Sequence, residues 1–215
     1  NKNIKNYQGK YKTKNESRNG RIIKDGIKTV VSIAPSYLGV LEFKTPGQVI
    51  TALKQLGFYS VRETAEGAAF VTNEYEKLIT NGKMQNIITT CCPSVNDLIE
   101  IYYPELIPYM APVVSPMIAH GKLIRKLYGD DVKIVFLGPC IAKKREAEGD
   151  TRTKGYIDAV ITLQEFKKWL QEENININTL SDTPPDNPDP CVNRLYPISS
   201  GVLSSVIATK TESDS

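Results

Sequence analysis

Apolar positions along this chain follow two rhythms. Short β-branched runs bounded by turn-forming residues recur at Thr29–Ile33, around Phe58–Val61, and at Asn86–Thr90, Val132–Leu137 and Tyr156–Ile161. Each reads as a strand, and the unbroken ones read as strands covered on both faces. The stretches between them carry helical spacing. Thr45-Pro46-Gly47-Gln48 offers an N-cap, an N1 proline and an N3 glutamine for a helix through Leu56, which Gly57 ends. A second helix is expected over about Ala65–Thr80, closed by Asn81-Gly82. Pro93-Ser94, with Asp97 three residues beyond the serine, resembles a capping box ahead of an apolar face of Val95, Leu98 and Ile101. Ser115-Pro116 opens a further helix to about Tyr128, and Thr162 with Glu165 caps one holding Phe166, Trp169 and Leu170. Alternating strands and helices predict an α/β fold, with a parallel or mostly parallel sheet flanked by helices.

The same punctuation divides the chain. Residues 1–27 form a basic polar arm or linker, 28–112 a first α/β lobe and 113–182 a second. Residues 183–215 are a Pro-rich loop and C-terminal segment, one course for which is a return to the first lobe. The Pro-rich loop Thr183–Pro190 is incompatible with helix.

Composition narrows the function classes. The chain has 215 residues, 40% hydrophobic, which suits one large domain or two lobes around a real core. A formal charge of +3 is too small to indicate nucleic acid. Nine of the first 28 residues are Lys or Arg against only Glu16 and Asp25, so the excess belongs to a solvated arm lacking aromatic platforms. No run approaches the roughly 20 apolar residues of a spanning helix, and no signal-peptide pattern is present. Neither nucleic acid nor membrane is expected as a partner. Four unevenly spaced cysteines make a poor disulfide framework and favour a reducing, cytoplasmic setting.

The candidate chemistry lies in those cysteines. Cys91-Cys92 follows the expected strand at Asn86–Thr90 and precedes a helix start. Cys140, in Gly138-Pro139-Cys140, follows the one at Val132–Leu137. Carboxyl ends of strands are where α/β proteins place reactive groups. A helix opening after Pro93 presents unpaired N–H groups that favour a thiolate or an anionic cluster. The alternative is a pair of buried free thiols. Lys143 and Lys144 either bring an ammonium to an anionic ligand or face solvent. Ser36, after Ala34-Pro35, points to the same rim. His120 reads as a surface or packing residue. A cubane cluster takes four protein ligands, usually thiolates. Cys92 and Cys140 are credible, Cys191 sits in a Pro/Asp/Asn context, and no CxxC pair exists. Glycine-rich nucleotide motifs and GxSxG are absent.

These segments resemble the catalytic domain of iron-only ([FeFe]) hydrogenase large subunits. The family signature Thr-Ser-Cys-Cys-Pro-Gly-Trp is matched by Thr89-Thr90-Cys91-Cys92-Pro93-Ser94-Val95. Met-Pro-Cys-x-x-Lys-Lys-x-Glu is matched by Gly138-Pro139-Cys140-Ile141-Ala142-Lys143-Lys144-Arg145-Glu146. Ala34-Pro35-Ser36, Tyr102–Leu106, Ser115-Pro116 and Asp158–Thr162 add secondary likeness, over roughly residues 28 to 205.

The resemblance implies a two-lobed fold with a composite cluster between the lobes. It gives Cys91 the role of proton-relay thiol, Cys92 and Cys140 those of cubane ligands, and Lys143 a contact to a diiron cyanide. Ala34, Pro35, Ser36, Ser115 and Pro116 would line the cofactor. Ser94, Val95 and Gly138 depart from the signatures, and the family's closing Cys-x-x-x-Cys signature and upstream ferredoxin-like modules are absent. The expected function is therefore a divergent iron–sulfur or hydrogen/redox-sensing module of a larger anaerobic protein. Its 4Fe-4S cluster, with or without a diiron subcluster, would be absent or incomplete in this chain. A ferredoxin-like electron-transfer module or fused signalling domains would be its partners. Two alternatives stand beside it: a fragment of an active hydrogenase reducing protons to H2, and a cluster-free scaffold.

Overall fold

Four parallel strands carry the architecture: β1 (Thr29–Ile33), β2 (Ser60–Glu63), β3 (Lys133–Gly138) and β4 (Ala159–Thr162), in the order β2-β1-β3-β4. The computed structural model describes residues 23, 27–82, 84–149, 153–189 and 191–213; the side chain of Cys191 is not among its described features. Apart from Ile23 and Ile27, the basic arm expected at 1–27 lies outside the described residues.

The helices are α1 (Tyr37–Val40), α2 (Gly47–Gln55), α3 (Ala65–Thr80), α4 (Pro93–Tyr102), α5 (Pro116–Tyr128), α6 (Ala142–Gly149), α7 (Leu163–Glu172) and α8 (Gly201–Ser213). Strand pleating sends alternate residues to opposite faces, and both faces are covered. Val31, Ile33, Val61, Val135, Leu137, Ala159 and Ile161 pack under α2 and α7, where Val49, Ile50, Leu53, Phe166 and Leu170 are buried. Val30, Ile134, Phe136 and Val160 pack on the other side against Met117, Ile118 and Ile124 of α5. A third cluster joins Val71 and Tyr75 of α3 to Ala111 and to Val206 of α8.

The expected division at 112/113 does not divide this sheet. β1 pairs with β3 in register from Thr29↔Lys133 to Ile33↔Leu137, so strands from both sides of that point form one sheet. Several expected boundaries agree closely, including α3, α5 and the capping box at α7, where Thr162 Oγ1 accepts from Glu165 N.

Three expectations need correction. Pro46, not Thr45, is the N-cap of α2 and no side chain caps it, although Gln48 Oε1 accepts from Thr45 N–H. Asn86–Thr90 is not a strand of the sheet; it makes one parallel bridge, Ile88 with Met110. Its local pattern suits a strand, but no neighbour extends the pairing. The capping box at Ser94 and Asp97 does not form either. Cys92 is the N-cap of α4, without a side-chain cap, and Asp97 forms an ion pair with Arg145 instead.

The Pro-rich loop lies along the outer edge of β2. Asp186 N–H donates to Val61 O, Val61 N–H to Asp186 Oδ2, and Glu63 N–H to Asn187 Oδ1. Unpaired edge groups invite association with other chains, and these bonds cover them. Lys54 completes the clasp at 2.8 Å from Asp186 Oδ1. Burial tends to raise the Asp186 carboxyl, but Lys54 and the Val61 N–H outweigh it and hold it below the usual range. That stabilisation is present above about pH 4 and lost as pH falls further. Asp186→Ala is expected to cost about 1–2 kcal/mol in urea unfolding, because it leaves Val61 N–H unsatisfied. An unchanged midpoint would show that the loop does not hold the edge. No helix among the described residues is long and apolar enough to cross a membrane.

Candidate functional site

The strand order reverses direction between β1 and β3: one connects onward to β2, the other to β4, on opposite sides. In open parallel sheets the crevice beyond the carboxyl ends at such a point is the usual ligand site. Two expected segments meet there. Ala34-Pro35-Ser36 follows β1, and Ala34 N–H donates to Leu137 O at 2.8 Å, continuing the ladder one residue past the strand. Gly138-Pro139-Cys140 ends β3. A Cβ on Gly138 would lie 2.6 Å from the Phe136 ring and 3.3 Å from Ala34 Cβ, so the close approach is to the protein's own packing.

Cys91-Cys92 reaches the site by another route, held by the residue before it. Thr90 N–H donates to Tyr75 Oη, Thr90 Oγ1 donates to Ala111 O and Val113 O, and Thr90 O accepts from Asn96 Nδ2. Cys92 O then accepts from Val95 N–H and Asn96 N–H as α4 begins. Both cysteines are half-buried and unpaired, as is Cys140. Burial pushes the Cys91 thiol up, against the opposing pull of the Lys143 ammonium.

The paired lysines are buried, contrary to the solvent-facing alternative. Lys144 Nζ lies 2.5 Å from Glu165 Oε1, and Glu165 also accepts from Thr162, so this lysine locks α6 to the capping box of α7. Lys143 turns the other way. Its Nζ donates to Cys91 O at 2.9 Å and to Glu146 Oε2 at 2.6 Å. Arg145 grips Asp97 with both guanidinium nitrogens. Thus α6 is stitched to the start of α4, bringing the Cys140 and Cys91 segments together. Glu146 closes the matched signature but was given no role in it; its spacing from Lys143 is that of a helical ion pair.

Beside this junction lies an open cleft of about 310 Å³, whose walls include Thr90, Asn96, Ala111, Ser115, Glu146 and Thr153. Buried polar atoms normally have partners. Ser36 Oγ, Ser115 Oγ and Asn96 Oδ1 are buried and have none. Two of the three are hydroxyls expected to line a cofactor. The backbone of Pro116 lies against α3: a Cβ on Gly67 would fall 2.5 Å from its carbonyl oxygen.

The thiols give a different answer to whether a cubane fits. Among the described residues no group of three or more His, Cys, Asp or Glu is placed to hold a metal ion. Cys92 and Cys140 amount to half of the four ligands such a cluster takes. These residues do not complete a cluster site.

The family model for the iron only hydrogenase large subunit, C-terminal domain, matches residues 27–215. Iron hydrogenase 1 of Clostridium pasteurianum is 33% identical over 155 residues, 65% of this chain but only 27% of that protein. The cytosolic Fe-S cluster assembly factor NAR1 of Saccharomyces cerevisiae is 28% identical over 126 residues, covering 56% of this chain and 25% of its own length. Among solved structures, a variant of apo [FeFe]-hydrogenase HydA1 from Chlamydomonas reinhardtii superposes with a TM-score of 0.63 at 27% identity. That match covers 74% of this chain and 46% of that one. The chain therefore spans between a quarter and a half of the proteins it matches.

Proposed function

This chain belongs to the family of iron-only hydrogenase large subunits, C-terminal domain, and on that premise we propose that it is a divergent, hydrogenase-fold scaffold rather than a self-sufficient catalytic unit. The observation that carries this reading is the junction at Lys143. The ammonium is already satisfied by Glu146 and Cys91 O, and it joins the cysteine segments by the protein's own bonds. The sheet is likewise held by an apolar core packed on both of its faces. The likeness to a cluster assembly factor supports a family role outside hydrogen turnover.

A second reading is favoured by the partnerless hydroxyls of Ser36 and Ser115. In it, these residues are one wall of a site completed by a larger protein. Cys92 and Cys140 would supply two ligands to a 4Fe-4S cluster, Cys91 would offer a thiol beside it, and Lys143 an ammonium. Bound with a diiron subcluster, such a group supplies reversible proton reduction to H2, or the means of sensing it. An electron-transfer module or fused signalling domain would then be the partner.

Anaerobic iron and sulfide analysis of the chain, made alongside the cluster-assembly machinery, separates the two. The scaffold reading expects well under one cubane per chain, no H2 turnover, and a melting temperature indifferent to chelator. Four irons and four sulfides per chain, lost in both Cys92→Ser and Cys140→Ser, would overturn it.

A further inference from the structure

On the face of the sheet under α3 and α5, a polar stripe replaces the apolar one. Ser32 of β1 and Ser60 and Arg62 of β2 are all buried there. Above them sits His120, the only histidine of the chain and fully buried. Both of its ring nitrogens are engaged: Nδ1 lies 2.7 Å from Ser32 Oγ, and Nε2 lies 3.1 Å from Glu66 Oε2. Ser32 Oγ in turn lies 2.7 Å from Thr64 Oγ1. Glu66 is gripped through both oxygens by Arg62, which also donates to Tyr128 Oη and Asp186 O.

Chemistry fixes the polarity of this chain. Burial tends to raise the Glu66 carboxyl, but its bonds to His120 and Arg62 prevail and hold it low, so it is ionised and only accepts. Nε2 must therefore carry the proton. Nδ1 is then an acceptor, Ser32 donates to it, and Thr64 donates to Ser32.

We propose that this hydrogen-bonded chain is a pH latch on α5: neutral His120 pins the first turns of the helix to β1 and α3, and a proton on His120 releases them. A second proton would make Nδ1 a donor facing the donating Ser32 hydroxyl, forcing the Ser32 proton to turn away from it. The new charge would also need solvation, and Glu66 is already committed to Arg62. The ring is fully buried while the helices touch. Beside His120, a Cβ on Gly67 would come within 2.7 Å of the His120 backbone nitrogen. Solvating the imidazolium thus requires the start of α5 to lift, carrying Ser115 and its cleft-lining hydroxyl with it.

The charged groups facing His120 are Glu66 from α3, and Arg62 and Glu63 from β2 with its end. Burial pushes the imidazole below its ordinary value against the pull of Glu66; Arg62 adds to that push and Glu63 opposes it. The folded chain then binds fewer protons than the unfolded one, so stability is present above about pH 6.5 and declines as pH falls. The latch stands whether or not a cluster binds.

A lone histidine makes the test direct. NMR titration of its imidazole, with hydrogen exchange of residues 117–121 corrected for intrinsic rate, should show protonation below about pH 6.5. Protection should fall from about that pH downward, by up to tenfold per pH unit, and be gone once the ring has titrated. Glu66→Gln removes the carboxylate that favours the charged ring, so it should shift both transitions to lower pH. His120→Gln should abolish the dependence. Protection independent of pH below about 6.5, or retained after the ring titrates, would overturn the latch even if either variant fails to fold.

Discussion

Gly67→Ala should cost the protein about 2–4 kcal/mol, a large share of the 5–15 kcal/mol typical of a folded domain. Helix propensity alone argues the opposite, since alanine is favoured over glycine by about 1 kcal/mol inside a helix. Packing decides the sign. The added methyl would sit 2.5 Å from Pro116 O and His120 Cβ, and 2.7 Å from His120 N. Backbone atoms cannot swing aside, so α3 and α5 must separate. Separation would also stretch His120 from Ser32 and Glu66, adding buried polar groups without partners. Gly39→Ala is the control, because a Cβ there meets nothing within 4 Å. Urea unfolding should place the Gly67 variant well below wild type and the Gly39 variant at or slightly above wild type. Equal midpoints would mean that the helices are not in contact as described.

That contact illustrates what could be read from the chain. Local signals gave α3 and α5 their limits, through Asn81-Gly82 at one end and Ser115-Pro116 at the other. The buried β-branched runs gave β1 and β3, and Thr162 with Glu165 gave a complete capping box. Each of those features is decided within a few residues. The misplaced cap of α2 is a local failure, and the others are matters of distant partners. Asn86–Thr90 looks like a strand locally, yet a strand is defined by neighbours, and only Met110 arrives. Asp97 was expected at a cap, but Arg145, 48 residues on, claims it. His120 needed Ser32 and Glu66, 88 and 54 residues away, before its role could be seen. At the rim, Ser36 was legible from its place just past β1 and Ser115 as a site residue only through family resemblance, whereas Asn96 and the pairing of Glu146 with Lys143 emerged from geometry.

The site's second large effect is expected at Lys143. Lys143→Met should cost about 2–3 kcal/mol, near the lower end for breaking a buried ion pair, because the methionine leaves Glu146 charged and without a cation. The pair is 11% and 10% exposed, so water offers little compensation. Its neighbour provides the contrast. Arg145 and Asp97 approach as closely, but are 53% and 26% exposed, and Arg145→Ala should cost no more than about 1 kcal/mol. Adding Glu146→Leu to Lys143→Met removes the stranded carboxylate, so the double variant should recover at least half of the loss. What it should not recover is the tie to the paired cysteines, since among the described residues no other side chain donates to Cys91 O. Hydrogen exchange around Thr90 to Cys92 should remain faster than wild type in the double variant, while overall stability returns. If exchange there recovers along with stability, Lys143 serves only to neutralise Glu146. If it stays fast, the lysine is what holds the cysteine segment against α6, the arrangement on which both readings of the site depend.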